Sequence, residues 1–151
     1  VNLQFQRENI NELWSDLAPL IEQHYQEIAR YHDIPLNPDV EQYGQLENTG
    51  MFRIYTVRHD DQLIGYAAYL VSTNIHYMDS MQAHQDVLFV TPAYRKSRIG
   101  IQLIQYADKQ LQQDGVQLVY HHVKINHNFG PLLERLGYEL NELLYVKRLD
   151  K

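Results

Sequence analysis

The chain has no cysteine. That excludes a disulfide framework, a thiolate nucleophile and a cysteine-ligated zinc site, and it permits a reducing compartment. Apolar runs of membrane length are missing too: nothing approaches the roughly 18 residues of a spanning helix. Val1 to Gln6 carries neither a basic leader nor an apolar stretch of signal-peptide length. A soluble, untargeted, cytoplasmic protein is expected, and Val1 in place of methionine suggests a start that is missing or processed. Basic residues are the minority charge, 13 Lys+Arg against 19 Asp+Glu, and the formal net charge of -6 opposes wholesale binding to nucleic acid. Repeats and low-complexity linkers are absent, so one domain over residues 1–151 with a single core is expected.

What is present reads first as helix. Ile10, Leu13, Trp14, Leu17, Leu20, Ile21, Tyr25 and Ile28 recur three and four residues apart after a short opening strand. Pro19 is expected to divide or kink that run. Asp33-Ile34-Pro35 ends it, Asn37-Pro38 can start a short helix through residues 39–47, and Thr49-Gly50 reads as a turn. From Met51 the pattern changes to strands. Residues 52–57 and 63–72, around the turn at His59 to Gln62, form an antiparallel hairpin. A polar stretch, Thr73 to Gln82, precedes a strand over Ala83 to Val90. Gly100 to Gln113 follows as a helix with Ile101, Ile104, Ala107 and Leu111 on one side. Val116 to Val123 reads as a strand, His127 to Leu136 as a short helix, and Tyr138 to Leu149 as containing a final strand. The fold class is α/β of the α+β type, a mixed sheet with helices packed against it.

The stretch from Val87 to Ile101 carries the clearest chemistry. An apolar strand stops at Pro92, passes through a basic loop with Arg95, Lys96 and Arg98, and opens into a helix at Gly100. A helix N-terminus offers unpaired N–H groups and the positive end of its dipole, which favours a phosphate. Three basic side chains add charge at the same place.

Leu88, Val90 and Pro92, then Arg95-Lys96-Ser97-Arg98-Ile99-Gly100, then Asn126, then Gly137-Tyr138 form an ordered set that resembles the GCN5-related N-acetyltransferase (GNAT) family. In that family an apolar-x-Val-x-Pro strand end leads into an Arg/Gln-x-x-Gly-x-Gly/Ala loop, and an Asn later precedes a helix and a Gly-Phe pair. The resemblance spans about Phe52 to Leu149, and the helical first third is compatible with it. It implies a mostly antiparallel mixed sheet flanked by helices, in which the parallel strands Ala83 to Val90 and Val116 to Val123 splay around the thioester of acetyl-CoA, the cosubstrate. Amides of Arg95, Lys96, Ser97, Arg98, Ile99, Gly100 and Ile101 would hold the pyrophosphate. The backbone of Leu88, Phe89 and Val90 would pair with pantetheine like an added strand, and Asn126 would sit near the pantetheine arm. The implied reaction is direct transfer of acetyl in a ternary complex to a primary amine on a small molecule, peptide or protein. No metal is implied, and dimers are common in the family. Arg98 departs from the pattern where a loop glycine is usual, and Leu133 where many members carry a tyrosine acid.

Direct attack on a thioester needs a neutral amine, stabilisation of the oxyanion and a proton for the thiolate. Asp86 is the first candidate for a water-mediated base, with His84 on the same strand face; a turn cap or an ion pair is the plainer role. His121 and His122 are adjacent on a strand and face opposite sides, so only one can serve the site; a hydrogen-bonded structural histidine is the alternative. Tyr145 could supply the hydroxyl missing at Leu133, or pack across strands, and Tyr120 shares that ambiguity. Eight histidines occur without a His-Glu-x-x-His string, so no metal is expected. Two competing readings stand beside the acetyltransferase: a weak or inactive acyl-CoA-binding or protein-interaction module, motivated by Arg98 and Leu133, and a nucleic-acid binder using the basic loop.

Overall fold

A computed structural model describes residues 2–151; Val1 lies outside them. In chain order the elements are β1 (Leu3–Glu8), α1 (Ile10–Ile28), α2 (Val40–Asn48), β2 (Phe52–His59), β3 (Gln62–Asn74), β4 (Tyr77–Val90), α3 (Ile99–Gln113), β5 (Leu118–Tyr120) and α4 (Gly130–Arg135). Single 3-10 turns lie at Pro92–Tyr94 and Ile125–His127. The five strands form one sheet in the order β1-β2-β3-β4-β5. All neighbours are antiparallel except β4 and β5, which are parallel.

Successive residues of the central strands point to opposite faces, and each face is covered by helices. Ile54, Tyr66, Ala68 and Phe89 meet Ile10, Leu13 and Leu17 of α1, with Tyr43 and Leu46 of α2 beside them. Tyr55, Ala67, Tyr69 and Ala83 meet Ile99, Leu103, Ala107 and Leu111 of α3. The two-sided burial explains why Phe52 to Val57 and Leu63 to Tyr69 are buried without interruption. Gly65 permits the tight packing: a Cβ there would lie 2.9 Å from Val57 Cγ1 and 3.0 Å from the Phe89 carbonyl oxygen. The hairpin turn is made by Asp60 and Asp61, both left-handed at φ 48 and 69, a conformation that aspartate tolerates better than most residues.

The structure corrects the expected elements in four places. Helix α1 runs through Pro19 unbroken. Pro19 and Ser15 are both exposed, so the carbonyl that loses its partner faces water, while Leu13 and Leu17 hold the other side of the helix in the core. Strand β4 begins at Tyr77 because the polar stretch folds back on β3, its turn supported by the His76 N–H donating to Asn74 Oδ1 at 2.8 Å. Strand β5 is three residues long where Val116 to Val123 was expected. Tyr138 to Leu149 contains no strand at all.

Leu103 is fully buried between α3 and the sheet. Leu103→Ala is expected to cost about 2–5 kcal/mol, read as a lowered urea midpoint with an unchanged slope. A loss under about 0.5 kcal/mol would contradict this packing.

Candidate functional site

β5 accompanies β4 only where Gln82 faces Leu118, Ala83 faces Val119 and His84 faces Tyr120. Past that point β4 continues to Val90 while β5 has ended. The buried side chain of Gln85 spans the start of the gap, its Oε1 accepting from the His122 N–H at 3.0 Å. One edge of β4 is therefore open from there to Val90. Its outward groups follow from the ladder with β3: the Thr91 N–H donates to the Ile64 carbonyl at 2.8 Å. The alternation of antiparallel pairs then turns the N–H and C=O of Leu88 and Val90 away from β3 and toward the opening. Phe89 turns its backbone to β3 and its ring to the α1 side.

The open edge leads directly into the loop before α3. Three of its amides are used within the protein: Arg95 N–H to the Pro92 carbonyl at 3.3 Å, Ser97 N–H to the Tyr94 carbonyl at 3.2 Å and Ile99 N–H to Ser97 Oγ at 3.3 Å. Among the described residues, the amides of Lys96, Arg98, Gly100 and Ile101 donate to nothing. Four free donors thus collect at the positive end of a 15-residue helix, where the seven amides from Arg95 to Ile101 were expected. Arg98 occupies the usual glycine position with φ -83 and ψ 5, so no left-handed backbone is needed there. A Cβ at Gly100 would be 3.9 Å from Val90 Cγ2 and strained by nothing. Packing does not require glycine at this point, and the space before the helix is open to a ligand.

Arg95 corrects another expectation. Its guanidinium makes two bonds to the Glu27 carboxylate, at 2.7 and 3.0 Å, donates through Nε to the Val90 carbonyl at 2.8 Å, and lies over the Phe89 ring. It clamps α1 to the end of β4 and takes one of the outward carbonyls. Only Lys96 and Arg98 remain as exposed, unpaired cations in the loop among the described residues.

Asp86 sits at a break in the ladder. Ala68 pairs with Val87 and Tyr69 with Gln85, which leaves Asp86 as the extra residue of a β-bulge. The bulge keeps it on the α1–α2 face, where the Tyr43 hydroxyl of α2 donates to Asp86 Oδ2 at 2.8 Å. Burial, and then the adjacent carboxylate, raise the Tyr43 pKa far above the ordinary phenol value, so this hydroxyl is a neutral donor. His84 occupies the same face, stacked on Tyr120 with ring centroids 4.6 Å apart and on His122 at 5.8 Å. Burial, and then His122, lower the His84 pKa against an opposing pull from Glu142.

His121 and His122 separate as strand geometry requires. His122 joins the stack with His84. His121 lies on the α3 side between Tyr69, Phe129 and Tyr138, with neither ring nitrogen hydrogen-bonded. Burial, and then His122, lower it to about 4. Asn126 is exposed in the 3-10 turn after β5. Leu133 is buried in α4 and offers no hydroxyl. The Tyr138 hydroxyl is committed to Asp108 at 2.6 Å. Tyr145, expected on a strand, is 86% exposed on the unpaired stretch after α4. Tyr43 was missed by the sequence reading: its only signal was a place on the short helix 39–47, and nothing local pairs it with a residue 43 positions away. Among the described residues, no group of three or more potential ligands is placed to hold a metal ion.

A family model for the acetyltransferase (GNAT) domain matches residues 51–140. No curated protein matches the chain. Among solved structures, the chain is similar to the aminoglycoside acetyltransferase meta-AAC0020 from an uncultured soil metagenomic sample, in complex with sisomicin: 18% identity, 97% of this chain and 96% of that one, TM-score 0.75. Glucosamine-6-phosphate N-acetyltransferase from Arabidopsis thaliana aligns at 10% identity over 99% and 100% of the two chains, TM-score 0.76. A predicted acetyltransferase from Clostridium acetobutylicum, solved with acetyl-CoA, aligns at 11% identity over 99% of each chain, TM-score 0.73. At these identities the likenesses concern the fold.

Two histidines, His121 and His24, are held near 4 in the fold by burial, against an ordinary 6.5. Their folded values lie below their unfolded ones, so the unfolded chain binds more protons between those limits. Stability present above pH 6.5 is lost as pH falls toward 4. His121→Phe should flatten that loss by up to the order of 3 kcal/mol, the size of its shift, in urea unfolding at pH 7 and 4.5. An unchanged pH slope would contradict the buried neutral imidazole.

Proposed function

The chain belongs to the GNAT family of acetyltransferases, and on that basis we propose that it transfers the acetyl group of acetyl-CoA to a primary amine by direct attack in a ternary complex. The single observation that carries the reading is the open edge of β4 at Leu88 and Val90, followed one short turn later by four unpartnered amides at the N-terminus of α3. An elongated cosubstrate with amides along its arm and a pyrophosphate at one end matches that sequence of donors and acceptors. Lys96, Arg98, Gly100 and Ile101 would hold the pyrophosphate, with the two side-chain cations adding charge. Leu88, through both backbone groups, and Val90, through its N–H alone, would take the pantetheine amides, and Asn126 would lie along the same arm. Acetyl-CoA supplies an acyl group on a sulfur leaving group; the protein supplies position and proton management.

On the α1–α2 face, Asp86 would accept the proton of the attacking amine through water. The Tyr43 bond fixes the orientation of its carboxylate, and the stacked rings of His84, Tyr120 and His122 form the adjoining wall. A groove of about 320 Å³, lined in part by Ser72, Asn74, Ile75, Gln82 and His84, opens beside that wall and would take the body of the acceptor. A small hydroxylated amine suits such a lining. The similar folds include an aminoglycoside acetyltransferase and a glucosamine-6-phosphate acetyltransferase, which supports the same class of acceptor.

Leu133 favours a second reading, a module that binds acyl-CoA without turnover, because the position carries a buried aliphatic side chain and no hydroxyl. Thiol release from acetyl-CoA across a panel of amino sugars, polyamines and peptides separates the two. Turnover with any member supports the enzyme; binding with no turnover throughout supports the module.

Gly100→Asp should abolish acetyl-CoA binding measured by calorimetry while the circular dichroism stays unchanged. Full affinity in that folded variant would remove the loop from the site. Asp86→Asn should lower kcat by about 10²-fold or more, with acetyl-CoA affinity retained and the acidic limb of the pH-rate profile lost. An unaltered profile would exclude Asp86 as the base.

A further inference from the structure

Between the end of β4 and the start of α3 the chain has little to hold it. From Pro92 to Arg98 every side chain except Tyr94 is exposed. The backbone there is a succession of i to i+3 turns: Tyr94 N–H to the Thr91 carbonyl at 2.9 Å, Arg95 N–H to the Pro92 carbonyl at 3.3 Å and Ser97 N–H to the Tyr94 carbonyl at 3.2 Å. Bonds of this kind have poor geometry, and exposed ones open readily. Two adjacent side chains anchor the segment, one to each face of the sheet. Arg95 reaches Glu27 on the α1 side. Tyr94 turns the other way and packs its ring among the α3-side residues. Its hydroxyl meets His59 Nδ1 at 2.6 Å, with the two rings edge to face and their centroids 5.7 Å apart.

His59 is the last residue of β2, and the turn that follows holds it in place. Asp60 is left-handed at φ 48, its N–H donates to the Asn2 carbonyl at 3.1 Å, and its carboxylate lies 3.4 Å from His59 Nε2. A carboxylate beside Nε2 favours the proton there, which leaves Nδ1 to accept from the Tyr94 O–H. The influence of Tyr94 then extends along the loop. Its carbonyl accepts from both the Ser97 N–H and Ser97 Oγ, the latter at 2.5 Å, and Ser97 Oγ accepts from the Ile99 N–H at 3.3 Å. The free amides of Lys96, Arg98 and Gly100 alternate with these bonded ones. A chain of contacts from His59 to Ile99 therefore sets the directions in which the free donors point.

We propose that His59 is a positioning residue: through Tyr94 it fixes the loop whose amides receive the pyrophosphate, so that the cosubstrate finds its donors in place. The ligand rests on the acetyl-CoA reading; the tether does not. Tyr94→Phe removes the hydroxyl and keeps the ring, and His59→Ala removes the acceptor. Each should raise the calorimetric Kd for acetyl-CoA about fivefold or more. In turnover KM should rise while kcat stays within about twofold, because neither group touches the reacting atoms. The double variant should lose no more than the weaker-binding single variant, since both act through one bond. His59→Asn, whose Oδ1 can accept in place of Nδ1, should bind within about twofold of wild type. Without any ligand, amide hydrogen exchange in Tyr94→Phe should quicken at Ser97 and Ile99 and stay unchanged at Leu103 in the middle of α3. Wild-type affinity in both single variants, additive losses in the double, a fall in kcat with no rise in KM, no rescue by asparagine, or unchanged exchange at Ser97 and Ile99 would each overturn the proposal. A wild-type chain that fails to bind acetyl-CoA would end the acetyltransferase reading instead, and the exchange rates would still decide the tether.

Discussion

Three residue pairs of parallel contact between β4 and β5 govern the rest of the molecule's chemistry. Where Gln82 to His84 lie beside Leu118 to Tyr120, the sheet is closed and its backbone groups are consumed. One residue later the strands part, and Gln85 takes the His122 amide in place of a ladder bond. Had β5 followed β4 to Val90, the outward groups of Leu88 and Val90 would have been spent in the sheet, with nothing left to recognise an amide-bearing arm. The early end of the pairing turns an interior strand into a local edge, and the bulge at Asp86 lies at that same point.

Around this opening the charges are divided by task. Arg95 is spent on structure, binding Glu27 of α1 and the Val90 carbonyl so that the strand end is held against the helix. Lys96 and Arg98 stay in solvent beside the free amides. A loop in which all three cations were free would attract phosphate more strongly and position it less well, because long exposed side chains carry rotamer entropy that fixed amides do not. The opposite face of the opening carries Asp86 with its neutral Tyr43 donor and the stacked imidazoles, which in the proposed transfer would handle one proton. His121, one residue from His122, contributes to the α3-side core instead, and the alternation of the strand is the whole reason.

Much of this is visible in the residues themselves, for reasons that differ by region. The β2–β3 hairpin and α3 are marked by period and by turn residues, which act locally, and the phosphate-favouring loop follows from a strand, a proline and a helix start in succession. Pairing across distance is not marked. Nothing near Tyr43 indicates that it will meet Asp86, and nothing near Arg95 indicates Glu27. The bulge is a mismatch between two strands and so belongs to neither sequence alone. Pro19 is misleading because its penalty is a local rule that Leu13 and Leu17 override by packing. Tyr138 to Leu149 has the composition of a strand yet forms none, since a strand needs a neighbour and none of the described strands pairs with it.

In the proposed function, four particular amides receive the pyrophosphate. Amide-resolved NMR during titration with acetyl-CoA addresses it directly. The resonances of Lys96, Arg98, Gly100 and Ile101 should shift strongly downfield together, while Arg95, Ser97 and Ile99, already bonded within the protein, should move little. Saturable binding that left those four unmoved, or that moved all seven alike, would contradict it.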